Sequence, residues 1–211
     1  PSIYLNNQND IIEYALIWNN FYQSESYISH VTSLKNINSP LEILDKRKKR
    51  YIQNMLKNEK FEIRVEKKLD VFYEILIASK KEFGAQPTHT KEELKKLIKL
   101  FPQNIILQLS YDNSKIVGGS VVFLTNERAG LVFYNVVKSN YKKTQLSSLQ
   151  LYYCINLAIQ KKLNYLDFGV SHLPKARNPL TPKFSLIRFK EQFGAIGIIR
   201  KIYSRNFNFE K

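Results

Sequence analysis

Residues 104–137 read NIILQLSYDNSKIVGGSVVFLTNERAGLVFYNVV. Runs rich in β-branched and aromatic side chains occupy 104–111, 115–125 and 129–137. Asp112-Asn113 and Asn126-Glu127 separate them with residues that accept turn geometry by bonding their own backbone. Connections this short join antiparallel neighbours, so the spacing predicts a meander of three strands.

On the C-terminal side of the meander, residues 145–161 carry Leu146, Leu149, Tyr153 and Leu157 on one helical face and Leu151, Ile155, Ala158 and Ile159 on the others. A helix apolar around most of its circumference has to be covered, and it is expected to pack on the sheet. A short strand at 165–168 follows, then a polar loop at 174–182 with Pro174, Pro179 and Pro182, a helix at 183–193 and a strand at 197–203. On the N-terminal side, Thr90 and Glu93 form a capping box for a helix that stops before Pro102. Another helix at 70–81 lines up Phe72, Leu76 and Ser79, and 61–65 alternates apolar and charged residues like a strand with one wet face. Further upstream, Ser39 as N-cap, Pro40 in first position and Glu42 three residues after the cap open a helix to residue 57, with Leu41, Leu44, Tyr51 and Met55 on one face and Lys46, Arg47, Lys49 and Arg50 over the rest. Residues 11–22 show helical spacing, and 27–31 reads as a short strand.

From residue 61 the order is β, α, α, β, β, β, α, β, α, β. This is an α/β (α+β) chain with a mixed, mostly antiparallel sheet flanked by helices, and a helical extension in front. The expected division is an extension at 1–38 and one domain at 39–211. Pro1 stands where a Met would start a chain, so either the native start has been cleaved or the sequence is the downstream piece of a longer one.

Thirty-three basic residues against 18 acidic ones give a net charge of +15, which concentrates polyanions such as nucleotides, nucleic acid or acidic lipid. The codon bias of an AT-rich genome yields the same excess of Lys, Asn, Ile and Tyr. A single cysteine forbids an internal disulfide and all paired-cysteine zinc spacings, which favours a reducing compartment and no metal. No apolar stretch reaches the roughly 18 residues of a membrane span. A soluble, cytoplasmic protein is expected, with contact to an acidic inner membrane face as a further expectation.

Residues 163–203, LNYLDFGVSHLPKARNPLTPKFSLIRFKEQFGAIGIIRKIY, resemble the closing segment of the FemAB-like branch of the GNAT acyltransferases. There an Asp-Phe-Gly-x-Ser strand end (Asp167, Phe168, Gly169, Ser171) precedes a Leu-Ile-x-Phe-Lys-x-x-Phe-Gly helix (Leu186, Ile187, Phe189, Lys190, Phe193, Gly194). The element order from residue 61 is similar to the GNAT fold as well. The resemblance implies a sheet parted near its middle, with a gap that admits a pantetheine arm. It also implies transfer of an acyl or aminoacyl group, from acetyl-CoA or another acyl-CoA or from aminoacyl-tRNA, to a small-molecule or lipid-linked amine of a cell-envelope or polysaccharide precursor. In that branch two GNAT-like halves stand in tandem, so this sequence looks like the second half, able to pair with another.

The site residues follow. Asp167 is expected at the gap as the base that takes the amine proton, or as a carboxylate that caps the following turn with Ser171. Tyr134 either offers a hydroxyl near the acyl group or packs as a strand tyrosine, and Ser171 completes the catalytic candidates. Ser171 and His172, adjacent at a strand end, point apart, so no nucleophile–base pair is expected of them. Val137, Lys138, Lys142, Lys143, Thr144 and Gln145 match the family's phosphate loop. That loop is normally glycine-rich so that phosphate meets bare amides at a helix start; residues 138–147 hold no glycine, and Lys142 and Lys143 would grip phosphate by charge instead. His89, His172 and Lys190 are the expected substrate contacts, His89 being otherwise part of the cap at Thr90 and Lys190 either snorkelling to solvent or reaching a phosphate at the cleft rim. The basic run 46–50 reads as a solvated face or a footprint for tRNA or acidic lipid. Cys154 reads as a small buried hydrophobe. A non-catalytic GNAT-like module is the competing reading, indicated if Asp167 is fully buried with its acceptor positions taken.

Overall fold

In the computed structural model, residues 2–4, 10–173, 178 and 180–207 are described. The meander forms as predicted: β3 (Ile105–Asp112), β4 (Lys115–Leu124) and β5 (Ala129–Val137) pair antiparallel in sequence order, and β2 (Phe61–Val65) adds to the outside of β3. α5 (Leu146–Gln160) then carries the chain back, so that β6 (Tyr165–Val170) runs parallel to β5. With β7 (Ala195–Ser204) and β1 (Tyr22–Ser33) the sheet has seven strands in the order β2-β3-β4-β5-β6-β1-β7.

Two cores cover the two faces. On one, Leu146, Leu149, Ile155 and Ala158 of α5 pack with Val122, Val132 and Leu166 of the sheet and with Ile52 of α2 (Lys46–Asn58). On the other, Phe72, Ile75 and Leu76 of α3 (Leu69–Glu82) and Leu94 of α4 (Lys91–Leu100) pack on Leu109, Val121, Tyr134 and Val136. α6 (Phe184–Glu191) leads to Phe193, which is fully buried in the first core. The breadth of α5 burial explains its apolar circumference; of the buried polar pair on it, Ser148 bonds Lys48 and Gln150 Nε2 donates to Ser110 and the Val136 carbonyl, while Gln150 Oε1 has no partner among the described residues.

Two expectations are corrected. The Ser39/Glu42 capping box is present, but it closes a single 3-10 turn, Pro40–Glu42. The helix restarts at Asp45, because the Asp45 amide bonds the Gln192 carbonyl at 3.0 Å and its carboxylate caps the Lys48 amide at 2.5 Å. Downstream of that cap Lys48 and Ile52 face inward, while Tyr51 is only partly covered. Among its described residues the N-terminal segment holds a 3-10 turn, Ser2–Tyr4, and one α-helix, α1 (Ile11–Trp18), and its strand runs over twelve residues inside the sheet rather than over 27–31. Thus residues 22–33 share the sheet with the segment that begins at 39. Of the proline loop at 174–182, residues 174–177 and 179 lie outside the described residues. No helix among the described residues is long and apolar enough to cross a membrane.

The feature that positions the site is the junction of β5 and β6. They pair only through Ala129–Tyr165, Gly130–Leu166 and Leu131–Asp167, although β5 runs on to Val137 and β6 to Val170. A bulge where β4 faces β5, between Val121 and Val122, gives the bend that swings β5 away. On the other side, β6 keeps its ladder with β1 as far as Ser29–Val170. The sheet therefore opens from residue 132 onward, and β5 turns one backbone edge to a cleft.

Candidate active site

A cleft of about 350 Å³ occupies the opening. Val132, Tyr134 and Val136 of β5 and Phe168 and Val170 of β6 form its walls, Ser147 and Leu151 of α5 close one side, Lys80 of α3 reaches in from the opposite face, and Phe189 and Lys190 of α6 cap it. A hollow of about 370 Å³ adjoins it at the start of α5, lined by Arg47, Lys48, Lys142, Gln145 and Gln192. Ser147 and Phe189 line both, so the two make one groove from a basic mouth to the parted strands. Among the described lining residues there are five basic side chains and no carboxylate.

Lys190 neither snorkels nor waits at the rim. Its ammonium is buried and donates to the Gly169 and Val170 carbonyls at 2.7 and 2.9 Å and to the Ser171 hydroxyl at 2.9 Å, which uses all three protons. Two successive carbonyls converge on it because Gly169 has φ 74°, a left-handed conformation that costs an L side chain and not glycine. Burial pulls the Lys190 ammonium down to about 8, against the opposing pull of Asp167. Ser171 also meets His30 Nδ1 at 2.9 Å, and both are buried. Burial, then the Lys190 charge, lowers the His30 pKa. His30 is the partner that residue spacing did not reveal; the only signal was a histidine inside an otherwise small, β-prone run, Ser29 to Ser33.

Asp167, expected as the base at the gap, is fully buried and is absent from the described cleft lining. Its Oδ1 accepts from the Ser29 hydroxyl at 2.6 Å and the Gly169 amide at 2.7 Å, and its Oδ2 accepts from the Tyr4 hydroxyl at 2.8 Å. Burial and the adjoining carboxylate push the Tyr4 phenol up. The carboxylate caps the turn at Gly169; no oxygen of it is exposed to a substrate.

Tyr134 and His89 do come together. The Tyr134 hydroxyl accepts from the His89 amide at 3.2 Å and lies 3.4 Å from His89 Nδ1, while the His89 carbonyl accepts from Tyr73 at 2.9 Å. Thr90 next to His89 is the N-cap of α4, so the helix start fixes the imidazole against the strand. Lys80 stands 5.7 Å over the Tyr134 ring, its pKa lowered by burial.

The expected phosphate loop is divided. Lys142 and Gln145 line the mouth; Lys142 pairs with Glu82, and Gln145 accepts from Lys48 at 3.0 Å. Val137 and Lys138 line a separate hollow of about 220 Å³ against α3. Thr144 bonds the Tyr141 carbonyl at 2.7 Å, and Lys143 is exposed. In place of a glycine, Gln145 takes the left-handed conformation (φ 63°) that starts α5 after a 3-10 turn over Ser139–Thr144. Lys48, from the basic run, is buried over Phe189 and Phe193 with its pKa lowered by burial, whereas Lys46, Arg47 and Arg50 are exposed. His172 turns away from Ser171 and lies in a third hollow beside Tyr27.

No protein-family model and no curated protein matches the sequence. Solved structures do match in fold. The crystal structure of FemX superposes with a TM-score of 0.72 at 10% identity, over 92% of this chain and 67% of that one. The chain has the fold of the FemAB-like branch of the GNAT acyltransferases. The C-terminal domain of a putative lysylphosphatidylglycerol synthetase from Agrobacterium fabrum gives 0.65 at 7% identity, over 93% of this chain and 65% of that one. L-PGS from Bacillus licheniformis gives 0.63 at 10%, over 94% and 66%. The chain thus spans about two thirds of the length of these proteins. In its GNAT-like sheet the parted strands are β5 and β6, with the α5 start at the mouth of the parting.

Proposed function

We propose that the protein is an N-acyltransferase that moves an acyl group from a CoA-type thioester to an amine of a cell-envelope or polysaccharide precursor. What supports this reading is the single groove with five basic side chains and no described carboxylate, running from the α5 start into the opened sheet. The donor's phosphates sit at Arg47, Lys48, Lys142 and the α5 start, where charge and the helix dipole both favour an anion. Its arm lies along the free edge of β5, which offers backbone groups at residues 132–136. The amine nitrogen bonds to the acyl carbon and the carbon–sulfur bond breaks. Tyr134 gives its hydroxyl proton to the departing sulfur, and the proton released by the amine restores the phenol, so the enzyme ends as it began. His89 orients that hydroxyl.

Tyr134→Phe is expected to lower kcat about a hundredfold at unchanged donor affinity, the usual size of one general-acid contribution. Thermal shift with acetyl-CoA, a longer acyl-CoA and bulk tRNA, each at two salt concentrations, tests the donor, since a ligand of the native state alone raises the midpoint. A rise with acyl-CoA that is lost in Arg47→Gln/Lys142→Gln supports the thioester. A salt-sensitive rise with tRNA alone moves the donor to aminoacyl-tRNA, a reading favoured by the glycine-free loop and the exposed Lys46, Arg47 and Arg50 beside the mouth. No rise with any of them favours the non-catalytic module, the reading to which the closed shell of Asp167 belongs.

A further inference from the structure

Val170 has a second neighbour besides the groove. With Tyr27, His172, Arg200, Lys201 and Ile202 it lines a hollow of about 340 Å³ beside the end of β6. His172 is half-buried at the wall of the hollow, with its Nδ1 enclosed and without a hydrogen-bond partner among the described residues. The Arg200 guanidinium is half-buried and has neither a carboxylate nor a hydrogen-bond partner among the described residues, whereas Lys201 next to it is tied to Glu13 at 2.6 Å. The Tyr27 ring stands 5.4 Å from the His172 ring and holds it in place, and its hydroxyl bonds Glu25, an exposed carboxylate next to the hollow.

We infer that this hollow seats the acceptor, and that the acceptor is an amine carrying its own anion, a phosphate or a carboxylate. The anion meets the Arg200 guanidinium, whose fork of donors suits phosphate or carboxylate oxygens, and lies beside the His172 ring. Glu25 supplies the opposite charge that an ammonium approaches first. Because Val170 is wall to both cavities, the deprotonated amine reaches past it toward the donor's acyl carbon without entering the basic mouth. The acceptor role rests on the transferase reading above; the ligand-binding role does not.

The chain has three histidines, so the imidazole signals in a carbon–proton correlation spectrum are few and assignable by substitution. His89 stands at the α4 cap and serves as the internal control, whereas His30 bonds Ser171 next to His172. Glucosamine 6-phosphate and glycine, titrated into the protein with no donor present, are expected to move the His172 signal saturably and leave His89 in place. Whichever moves it at lower concentration distinguishes phosphate from carboxylate. Arg200→Gln is expected to weaken that response about tenfold or more, the loss of one charge-assisted pair. Glucosamine, which lacks the anion, and glucose 6-phosphate, which lacks the amine, are expected to bind at least about tenfold more weakly. The inference is overturned if neither anionic amine moves His172, if Arg200→Gln changes nothing, or if glucose 6-phosphate binds as well as glucosamine 6-phosphate. If acyl-CoA fails in the thermal shift while His172 responds, the donor assignment falls and the hollow stands as a ligand site.

Discussion

Lys190 makes stability depend on pH between its folded and unfolded pKa values. Its amine is held to about 8 in the folded protein against an ordinary 10.5, because burial penalises the cation more than Asp167 favours it. The unfolded chain therefore binds more protons than the native one between those two values. A depressed folded pKa means stability is fully present above 10.5, rises with pH from about 8, and is lost as pH falls through the folded value. Integrated from pH 7 to pH 10, one group with these two pKa values adds about 2.5 kcal/mol. Other lysines and tyrosines titrate in the same range, so the assay compares urea denaturation of the wild type with that of Lys190→Met at several pH values. The quantity of interest is the difference between the two proteins. It should move in favour of the wild type by about 2.5 kcal/mol over the interval. At neutral pH, Lys190→Met also leaves the Gly169 and Val170 carbonyls without this donor, which sets the offset between the curves and not their slope. A difference that stays flat from pH 7 to pH 10 would refute the buried, charge-penalised lysine.

Three further outcomes follow from single contacts. Gly169→Ala puts an L residue at φ 74° with open space around its Cβ, so the loss is backbone strain alone, about 1–2 kcal/mol by denaturation; a smaller loss than about 0.5 kcal/mol would show the turn relaxing. Cys154 is buried, its thiol pushed up to about 12, with Sγ bonded to Gln108 at 3.3 Å, so labelling by an aromatic disulfide at neutral pH should follow global unfolding and accelerate with urea; fast labelling of the native protein would contradict its place in the core. Lys48→Met removes a buried cation that donates to Gln145 and Ser148 at 3.0 Å each, and it should weaken acyl-CoA binding and flatten its salt dependence while changing folding stability by less than about 2 kcal/mol; equal salt slopes for both proteins would place the donor elsewhere.

The elements legible in the sequence are those decided within a few residues. The Thr90/Glu93 box and the turns at Asp112-Asn113 and Asn126-Glu127 needed no tertiary partner, and α4 and the meander stand where the sequence places them. Where two local signals competed, a tertiary bond chose between them. Ser39 carries the complete capping box, yet the helix starts at Asp45 because the Gln192 carbonyl fixes that amide. β1 was harder still. Ser29, His30 and Thr32 are buried and polar, so no hydrophobic alternation marks the strand. Their partners are Asp167, Ser171 and the Phe193 carbonyl, all more than a hundred residues away. A strand whose inward face is satisfied by hydrogen bonds to distant residues is invisible to periodicity until the fold is known.

The same distance separates the residues of the closing motif in sequence from the bonds they make in the fold. Asp167, Gly169, Ser171 and Lys190 are joined: the carboxylate fixes the Gly169 amide, the glycine turns two carbonyls inward, and the lysine binds both along with the serine. Those carbonyls lie beyond Leu131–Asp167, where β5 no longer reaches β6, so they need a donor that the sheet does not provide. The ammonium of Lys190 supplies it, and α6 is thereby fastened across the end of β6. Such a set has to keep its residue types and spacing together, since removing any one leaves a buried polar group unmatched. In the folded chain this set joins the end of β6 to α6 beside the opening of the sheet. The side chains that line the groove, Tyr134 and Lys80 in the cleft and Arg47 at its mouth, come from β5, α3 and α2, and only the folded sheet brings them to one groove.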